Sequence, residues 1–368
     1  MSALAGRLLT PEGWVAGRVL FGARIEAIEA GDMPSDAPAI LPGFVDLHVP
    51  GGGGGDALEG ADAVRTIART HARHGTTALL PAPVTAPQEQ LAAALTGIAS
   101  VHADRRPGEA RVLGAHLEGP FLNPDKLGAQ PPFARMPDRV EMDRLIALAP
   151  VRVVTLAPEL DGAPALIADL AAKGVRVQLG HSLASYEETV TALEAGAAGF
   201  THLFNAMSGL DHRAPGMVAA ALAHAEYASL IPDLVCVHGG AIRAAMRAIP
   251  RLFAVTDAVA AADMPDGKYP LGSHTVEKRG DLVTLPDGTL AGSALTMDRA
   301  LKNLVSIGLE LADAANRVAT YPADFLGLTD RGRIEVGAWA DLVVLGRELG
   351  IEGVFVEGES IPLYTKSR

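Results

Sequence analysis

The sequence contains a single cysteine, Cys236, among 368 residues. One cysteine cannot close an internal disulfide or supply a thiolate framework for zinc, so both kinds of structural crosslink are excluded. Aromatic residues are also scarce, at 4%, whereas hydrophobic residues make up 49% and charged residues 20%. This balance is typical of a globular chain whose core is built from aliphatic side chains, and it is unlike that of a disordered chain.

The sequence also lacks an excess of positive charge. Lys and Arg together number 31 and Asp and Glu number 43, which gives a formal net charge of −12. We therefore predict no nucleic-acid partner and no anionic membrane surface as partner. No uncharged apolar run approaches the roughly 18–20 residues that span a bilayer. The first residues, MSALAGRLLTPEGW, lack the features of a signal peptide, so we predict a cytoplasmic protein.

Apolar runs of strand length alternate with Ala-rich helical stretches through most of the chain. The runs are ILPGFVDLH, ALLPAPVT, RVLGAHLEGP, VRVVTLAPEL, VRVQLGHS, GFTHLFNAM and RLFAVTDAV. Continuously apolar strands joined by helices indicate a parallel sheet covered by helices. No Gly-x-Gly-x-x-Gly turn opens a helix, so the alternation favours an α/β fold of the (β/α)₈ TIM-like barrel type, over residues 43–330, rather than a doubly wound sheet. Residues 1–42 and 331–368 instead have the texture of short antiparallel strands.

Polar residues close the apolar runs at the position where a barrel carries its chemistry, the carboxyl ends of the strands. These residues are His48, His116, Glu118, Glu159, His181, His202, Asn205 and Asp257. Imidazole and carboxylate groups together are suitable ligands for Zn²⁺, Fe²⁺ or Mn²⁺, and a further carboxylate can transfer protons. The pattern therefore predicts a metal-dependent hydrolase.

Glu118, His181 and His202 are the strongest candidates for metal ligands. The two histidines are 21 residues apart, about one helix plus one strand, so adjacent barrel strands would bring both imidazoles to one site. Glu118 is followed by Gly-Pro, which ends the strand and leaves the carboxylate at the barrel mouth. The alternative interpretations are a pair of core histidines and a glutamate that pairs with a loop arginine.

Asp257 and Arg213 are candidates for proton transfer and for substrate binding. Asp257 in VTDA could accept a proton from an attacking water and return it to a leaving nitrogen, although an N-cap role is the alternative. Arg213 lies in a loop after a strand, where its guanidinium could bind a phosphate or a carboxylate or could simply face solvent. The five glycines at 51–55 are not followed by Gly-Lys-Ser/Thr, so they are not a phosphate-binding P-loop.

These strings together resemble the N-acetylglucosamine-6-phosphate deacetylases of the amidohydrolase superfamily. The resemblance runs through PGFVDLH, HLEGPFLNP, GHSLASY, THLFNAMSGLDHRAPG, VTDA, LAGSALTMDRAL and GRIEVGAWADLVVL, and it covers nearly the whole chain. It implies that residues 1–42 and 331–368 form a small β-sandwich beside the barrel. It also implies one divalent metal ion per subunit, with zinc expected and iron or manganese as alternatives.

The resemblance further implies a role for each candidate residue. Glu118, His181 and His202 would hold the metal, and Asp257 would act as general base and then general acid. Asn205 and the backbone of Ala206 would hold the sugar phosphate, while Arg213 would contact the phosphate across the interface of a homodimer. The implied reaction hydrolyses N-acetylglucosamine 6-phosphate to glucosamine 6-phosphate and acetate.

Three departures from the family pattern bear on this interpretation. Many relatives have His-x-His after the first strand and bind a second metal, but here Pro50 follows His48 and Val49, so we predict one metal, with His48 lining the site. Cys236 stands where relatives often have a substrate-contacting histidine, and His238 would share its face if this segment were a strand. Gln130 stands where some relatives have a histidine near the acetyl carbonyl, and it can still donate a hydrogen bond.

None of the departures affects the candidate ligands or Asp257, so they bear on substrate identity more than on deacetylation chemistry. The alternatives are therefore a deacetylase of N-acetylgalactosamine 6-phosphate or of an N-acyl amino acid. A non-catalytic sugar-phosphate-binding relative is an alternative of a different class.

Overall fold

A computed structural model describes residues 1–363 of the chain. Its strands are β1 (Ser2–Thr10), β2 (Gly13–Phe21), β3 (Ile25–Ala30), β4 (Ala39–Pro42), β5 (Phe44–Val49), β6 (Gly51–Gly52), β7 (Gly55–Asp56), β8 (Thr76–Pro81), β9 (Arg111–Val112), β10 (Ala115–Glu118), β11 (Val151–Leu156), β12 (Arg176–Leu179), β13 (Gly199–Phe200), β14 (Tyr227–Leu230), β15 (Arg251–Ala254), β16 (Gly267–Leu271), β17 (His274–Arg279), β18 (Leu282–Thr284), β19 (Leu342–Leu345), β20 (Ile351–Val356) and β21 (Glu359–Ser360).

The helices lie mainly between the central strands. They are α1 (Ala61–Arg73), α2 (Gln88–Ala103), α3 (Arg139–Ile146), α4 (Ala163–Ala172), α5 (Tyr186–Glu194), α6 (Met217–His224), α7 (Gly239–Ala248), α8 (Met297–Ser306), α9 (Leu311–Ala315) and α10 (Tyr321–Phe325). Short helical turns cover Ala57–Glu59, Pro124–Lys126, Asn316–Thr320 and Arg347–Leu349. No helix in the described range is both long enough and apolar enough to cross a bilayer.

Eight of the strands form the predicted barrel: β5, β8, β10, β11, β12, β13, β14 and β15. Parallel pairing joins β5 to β8, runs from β10 through β13, and joins β14 to β15. These strands are almost entirely buried because the barrel interior covers one face and the helices cover the other. This burial explains why the sequence shows continuous apolar runs rather than alternation.

Single hydrogen bonds close the gaps between these paired groups. Leu113 N donates to Leu79 O (2.9 Å) beside β8, and Leu203 N donates to Ser229 O (2.8 Å) between β13 and β14. Asp257 N donates to His48 O (3.0 Å), which joins the end of the last barrel strand to the first. The carboxyl ends of all eight strands therefore meet around one opening, as the sequence predicts.

The two ends of the chain form one seven-stranded sheet, in the order β21-β20-β19-β4-β1-β2-β3. Phe21 on β2 and Phe355 on β20 pack edge to face with ring centroids 5.3 Å apart, although three strands separate them in the sheet. The sheet must therefore curl over itself, and its two halves enclose a small core that includes Leu8, Ile40 and Leu342. The division of the chain into a small domain of residues 1–42 and 331–368 and a barrel of residues 43–330 remains a prediction. Residues 364–368 lie outside the described residues.

A second small sheet, β16–β18, is an addition to the barrel that the sequence pattern does not predict. It is antiparallel and lies between the last barrel strand and α8. Asp56 attaches it to the glycine-rich loop, because one carboxylate oxygen of Asp56 accepts from Gly272 N (2.8 Å) and the other from Leu58 N (2.9 Å). The sheet therefore stands beside the barrel opening.

Candidate metal centre

Three of the predicted residues meet at the carboxyl ends of their strands. Glu118 ends β10, while His181 and His202 follow β12 and β13 by two residues each. Glu118 Oε1 lies 3.1 Å from His181 Nε2 and 3.1 Å from His202 Nε2, and the two imidazole nitrogens are 3.2 Å apart. All three side chains are buried. The structure thus brings together the three residues predicted to hold a metal.

The chemistry of this triangle fits a divalent cation. His181 Nδ1 lies 2.9 Å from Lys126 O, and a carbonyl can only accept, so Nδ1 carries the proton and Nε2 keeps its lone pair. Burial opposes ionisation of Glu118, but the charge of His48 and the hydrogen bonds of the two imidazoles hold its pKa well below its ordinary value. One anionic oxygen and two imidazole nitrogens therefore converge within 4.8 Å, and this cluster could hold a metal ion.

The backbone is left-handed at three of the central residues. The φ angles are +51° at His181, +33° at His202 and +50° at Asp257. Non-glycine residues rarely adopt positive φ, and such strained positions persist only where the surrounding structure holds them in place. Each residue turns the chain sharply where it leaves the barrel, which directs its side chain into the opening.

Asp257 and His48 lie on the other side of Glu118. His48 Nε2 is 3.3 Å from Asp257 Oδ1 and 3.5 Å from Glu118 Oε2. Burial lowers the pKa of His48, but the two carboxylates outweigh burial and raise it to about 10. The His48 side chain is fully buried, whereas that of Asp257 is 14% exposed. Asp257 therefore lines the cavity, whereas His48 lies behind it and is not among the described residues that line the cavity, unlike the prediction.

Gln130 contacts a candidate ligand directly. Its amide nitrogen donates to Glu118 Oε2, and its carbonyl oxygen accepts from Thr85 N (2.7 Å). Both polar atoms of the amide are thus occupied. Gln130 orients Glu118 so that the opposite oxygen, Oε1, faces the two histidines. Its spacing from Glu118 in the sequence gives no sign of this contact, because the intervening loop has no regular period.

A cavity of about 390 Å³ opens above the triangle. It contacts all three candidate ligands, Asp257 and Gln130, and also Asn205, Ala206 and Cys236. Further lining residues are Val84, Ile231, Leu271 and Leu290, together with Pro50, Asp125, Lys126, Gly128 and Ala129. Burial raises the pKa of the Cys236 thiol, so Cys236 is a neutral wall residue.

Lys126 is a cavity residue that the sequence reasoning missed. It lines the cavity, and none of the ion pairs found within residues 1–363 includes it. The cluster NPDK after the strand was a possible signal, because a cation in a loop beyond a barrel strand is well placed to meet an anion.

Arg213 and His238 do not line the cavity among the described residues of this chain. Arg213 lies on an exposed loop, where its backbone N–H donates to Asp211 (2.8 Å). The expectation that His238 shares a strand face with Cys236 is wrong, because β14 ends at Leu230. His238 instead begins α7, and its Nδ1 accepts from Gly240 N (3.1 Å) as an N-cap.

Comparison with known proteins places this centre in a family. The amidohydrolase family model matches residues 39–361, so the chain belongs to the amidohydrolase family. The chain is 40% identical to an N-acetylgalactosamine-6-phosphate deacetylase of Escherichia coli O157:H7, an alignment that covers 96% of this chain and 97% of the relative. It is 38% identical to an N-acetylglucosamine-6-phosphate deacetylase of Vibrio furnissii, with 92% and 88% covered.

Solved structures show the same architecture. The structure of N-acetyl-D-glucosamine-6-phosphate deacetylase from Mycobacterium smegmatis superposes with a TM-score of 0.91 at 35% identity and covers 98% of this chain and 100% of that one. The corresponding enzyme from Thermotoga maritima gives a TM-score of 0.92 at 28% identity, with 99% and 100% covered. The predicted barrel fold is confirmed by these superpositions.

Proposed function

We propose that this chain is a metal-dependent deacetylase that hydrolyses N-acetylglucosamine 6-phosphate to glucosamine 6-phosphate and acetate. The observation that carries the proposal is the arrangement of Glu118, His181 and His202 at the base of a cavity that Asp257 also lines. An amide hydrolase needs a polarising cation and a nearby proton carrier, and this cavity offers a site for both. The deacetylases named above support the substrate class.

The side chains of the cavity divide the work of amide hydrolysis. A metal held by Glu118, His181 and His202 would supply Lewis-acid polarisation of the acetyl carbonyl. Asp257 accepts the proton of the attacking water and then delivers it to the departing amine, because its partly exposed carboxylate faces the cavity. His48 fixes the orientation of Asp257 through the 3.3 Å contact from the buried side.

A single cationic residue of the described cavity lining, Lys126, would favour an anionic substrate. We propose that Lys126 attracts the 6-phosphate, since it lines the cavity without a carboxylate partner in the described range. Asn205 and Ala206 line the same cavity. Arg213 is exposed within one subunit. Its predicted contact with the phosphate therefore requires a second copy of the chain, and we propose that the protein is a homodimer.

The native metal, the epimer and the compartment are also proposals. One glutamate and two histidines suit Zn²⁺ first, with Fe²⁺ and Mn²⁺ as alternatives. The gluco epimer is the expected substrate, and the E. coli O157:H7 relative is the reason to test the galacto epimer beside it. We retain the cytoplasm as the proposed site of action.

The experiment is an assay of acetate and amine release on protein stripped with a chelator and reconstituted in turn with Zn²⁺, Mn²⁺ and Fe²⁺. The substrates are N-acetylglucosamine 6-phosphate, N-acetylgalactosamine 6-phosphate, unphosphorylated N-acetylglucosamine and an N-acetyl amino acid. We expect metal-dependent turnover with kcat/KM highest for the first substrate. Turnover of the N-acetyl amino acid alone would show that the proposed substrate class is wrong. Protein that binds one metal ion per subunit but hydrolyses none of the four substrates would show that the proposed activity is wrong.

A further inference from the structure

The fourth barrel strand, β11, lies between two strands that lead to candidate ligands but contributes no ligand to the triangle. β10 on one side ends at Glu118, and β12 on the other leads to His181. Glu159 follows β11 by three residues and is not among the described residues that line the cavity. It faces a separate surface groove together with Glu187 and Glu188. Glu159 is therefore an acid beside the metal centre that the proposed reaction does not use.

The Glu159 carboxylate accepts three short hydrogen bonds from the loops that flank it. Oε1 accepts from Asn123 Nδ2 (2.8 Å) and from Leu183 N (2.7 Å). Oε2 accepts from Ser182 Oγ (2.7 Å). Asn123 belongs to the loop after β10, and the other two donors belong to the loop after β12. One carboxylate thus joins the loop that follows Glu118 to the loop that follows His181.

The segment that begins at Asn123, a partner of Glu159, contacts His181 at two points. Asn123 N donates to His181 O (3.0 Å), and Asn123 Oδ1 caps the turn Pro124–Lys126 by accepting from Asp125 N (2.9 Å). The carbonyl of Lys126 in that turn accepts the Nδ1 proton of His181. The backbone and the ring of His181 are therefore both fixed by the segment that Glu159 anchors.

Glu159 is also connected to the loop of the third candidate ligand, His202, because Ser182 Oγ donates to Glu159 Oε2. Ser182 N donates to Ala206 O (3.0 Å), and Ser208 N donates to Ser182 O (3.0 Å), which ties this loop to the one that follows His202. Hydrogen bonds to an ionised carboxylate are roughly twice as strong as those between neutral groups. Such bonds can hold His181 in its left-handed conformation, which the chain does not adopt without support.

We propose that Glu159 is a positioning residue for the metal centre, which acts by holding His181, and through Ser182 the His202 loop, in the geometry that binds the cation. The proposal rests on the proposed function in one respect: the triangle must hold a metal. It assigns Glu159 no contact with the metal or the substrate. Residues that orient metal ligands typically change metal affinity by about 10- to 100-fold when they are removed.

The test measures the dissociation constant of Zn²⁺ by competition with a chromogenic chelator, on metal-free full-length protein. We expect Glu159→Ala to weaken zinc binding about 10- to 100-fold. Glu159→Gln keeps one oxygen acceptor, so its loss should be smaller. Glu187→Ala is the matched control, because Glu187 is an exposed acid in the same groove, and it should bind zinc as the wild type does.

Asn123→Ala provides a second route if Glu159→Ala does not fold. Because Asn123 and Glu159 act on His181 together, Asn123→Ala combined with Glu159→Gln should weaken zinc binding less than the product of the two separate effects. Thermal unfolding of the metal-free proteins separates positioning from general stability, since a merely structural role would lower Tm without changing zinc affinity.

A wild-type dissociation constant for zinc in Glu159→Ala would overturn the proposal. If Glu159→Ala does not fold, wild-type zinc affinity in both single variants, Asn123→Ala and Glu159→Gln, would overturn it. Failure of the proposed function gives a different result. If the wild type binds zinc and the Glu159 variants bind it weakly, while no N-acetyl sugar is hydrolysed, the activity is wrong and the positioning role stands.

Discussion

At the scale of single residues, the two oxygens of Glu118 have separate surroundings. Oε1 faces the imidazoles of His181 and His202, whereas Oε2 accepts from Gln130 and lies 3.5 Å from His48. A carboxylate held in this way presents one oxygen to the triangle. The amide of Gln130 and the position of Pro50 therefore both favour the single metal expected from the sequence.

The first prediction concerns Asp257. Asp257→Asn keeps the shape of the side chain but cannot accept a proton, so kcat should fall about a thousandfold while the metal content stays that of the wild type. Metal analysis beside steady-state kinetics checks both parts. Asp32→Asn, at an exposed acid between β3 and β4, serves as the control and should keep full activity. An Asp257→Asn enzyme of wild-type kcat would remove the assigned general base.

The second prediction compares Lys126 with Arg213. Lys126→Ala should raise KM for the 6-phosphate substrate about tenfold, or about 1.4 kcal/mol, because a cavity cation is lost. The kcat/KM for unphosphorylated N-acetylglucosamine should change little. Arg213→Ala should raise KM for the phosphorylated sugar in the same selective way, but only where a second subunit supplies the side chain.

Kinetics on both sugars, together with the mass measured by light scattering, check the second prediction. Lys268→Ala removes an exposed lysine on β16 and is the control for the charge change. Equal effects of Lys126→Ala on the phosphorylated and free sugars would show that Lys126 does not recognise phosphate. A monomeric wild type would remove the role of Arg213.

The sequence predicted the triangle but not its supports. Glu118, His181 and His202 follow strand-length apolar runs, and parallel barrel strands bring such positions together whatever the loops do. Gln130 and Lys126 lie in an irregular loop, so their contacts depend on a path that no periodicity records. His238 was misplaced because the segment after Leu230 reads as apolar but leaves the sheet early.

At the scale of elements, the glycine-rich loop is a structured part of the opening. Gly51, Gly53 and Gly54 donate backbone hydrogen bonds to Ala258, Ala262 and Ala260. A Cβ at Gly51 would lie 2.4 Å from Ala260 N, so no larger residue fits at this close approach. The loop therefore supports the segment that follows Asp257.

The third prediction concerns the attachment of the added sheet at Asp56. Asp56→Ala removes the carboxylate that accepts hydrogen bonds from Leu58 N and Gly272 N. The substitution should lower the free energy of unfolding by about 1–2 kcal/mol. It should also raise KM, because Leu271 beside Gly272 lines the cavity. Hydrogen exchange of residues 267–284 should accelerate in this variant.

Asp56→Asn is the comparison for the third prediction, because it retains one carbonyl acceptor and should lie between the wild type and Asp56→Ala in exchange rate. Unchanged exchange in Asp56→Ala would mean that packing alone holds the small sheet in place.

The alternation of strands and helices predicted the barrel, but two elements departed from it. The stretch 298–320 reads as one helix, yet α8 ends at Ser306 and Gly308 has φ +100°, a conformation that stops a helix. The sheet β16–β18 was missed because its strands are short and mostly half-buried, so they lack a clear apolar run. Local signals are weakest where burial is slight.

At the scale of the whole molecule, charged side chains connect the curled sheet to the barrel. Glu357, beyond β20, accepts two hydrogen bonds from Arg111 on β9 (2.8 and 2.7 Å). Arg331 donates to both Glu357 and Asp341 and is itself buried. Burial raises the pKa of Glu357, but the two arginines outweigh burial and lower it to about 2.

The fourth prediction follows from the sign of that shift. A folded-state pKa below the ordinary value of 4.5 means that the interaction stabilises the fold above pH 4.5 and is lost as the pH falls towards 2. Glu357→Gln should therefore lower the free energy of unfolding by about 2 kcal/mol at pH 7, after allowance for partial exposure. The difference from the wild type should shrink as the pH approaches 2.

Urea unfolding at a series of pH values measures this dependence. Glu348→Gln, at an exposed glutamate near the same sheet, is the control for the loss of one acidic group. A Glu357→Gln difference that stays constant from pH 7 to pH 3 would show that the loss comes from packing and not from charge.

The order of strands in the curled sheet has a consequence for biosynthesis. β4 pairs with β1 on one edge and with β19 on the other. β1 lies shortly before β4 in the chain, whereas β19 follows β4 by some three hundred residues. During translation, the first four strands leave the ribosome long before β19 exists, so the inner edge of β4 stays open while the barrel is made. Unpaired strand edges are templates for association with other chains. We expect the nascent chain to need protection by chaperones until residues 342–345 emerge, and truncations before β19 to accumulate as aggregates rather than as free barrels.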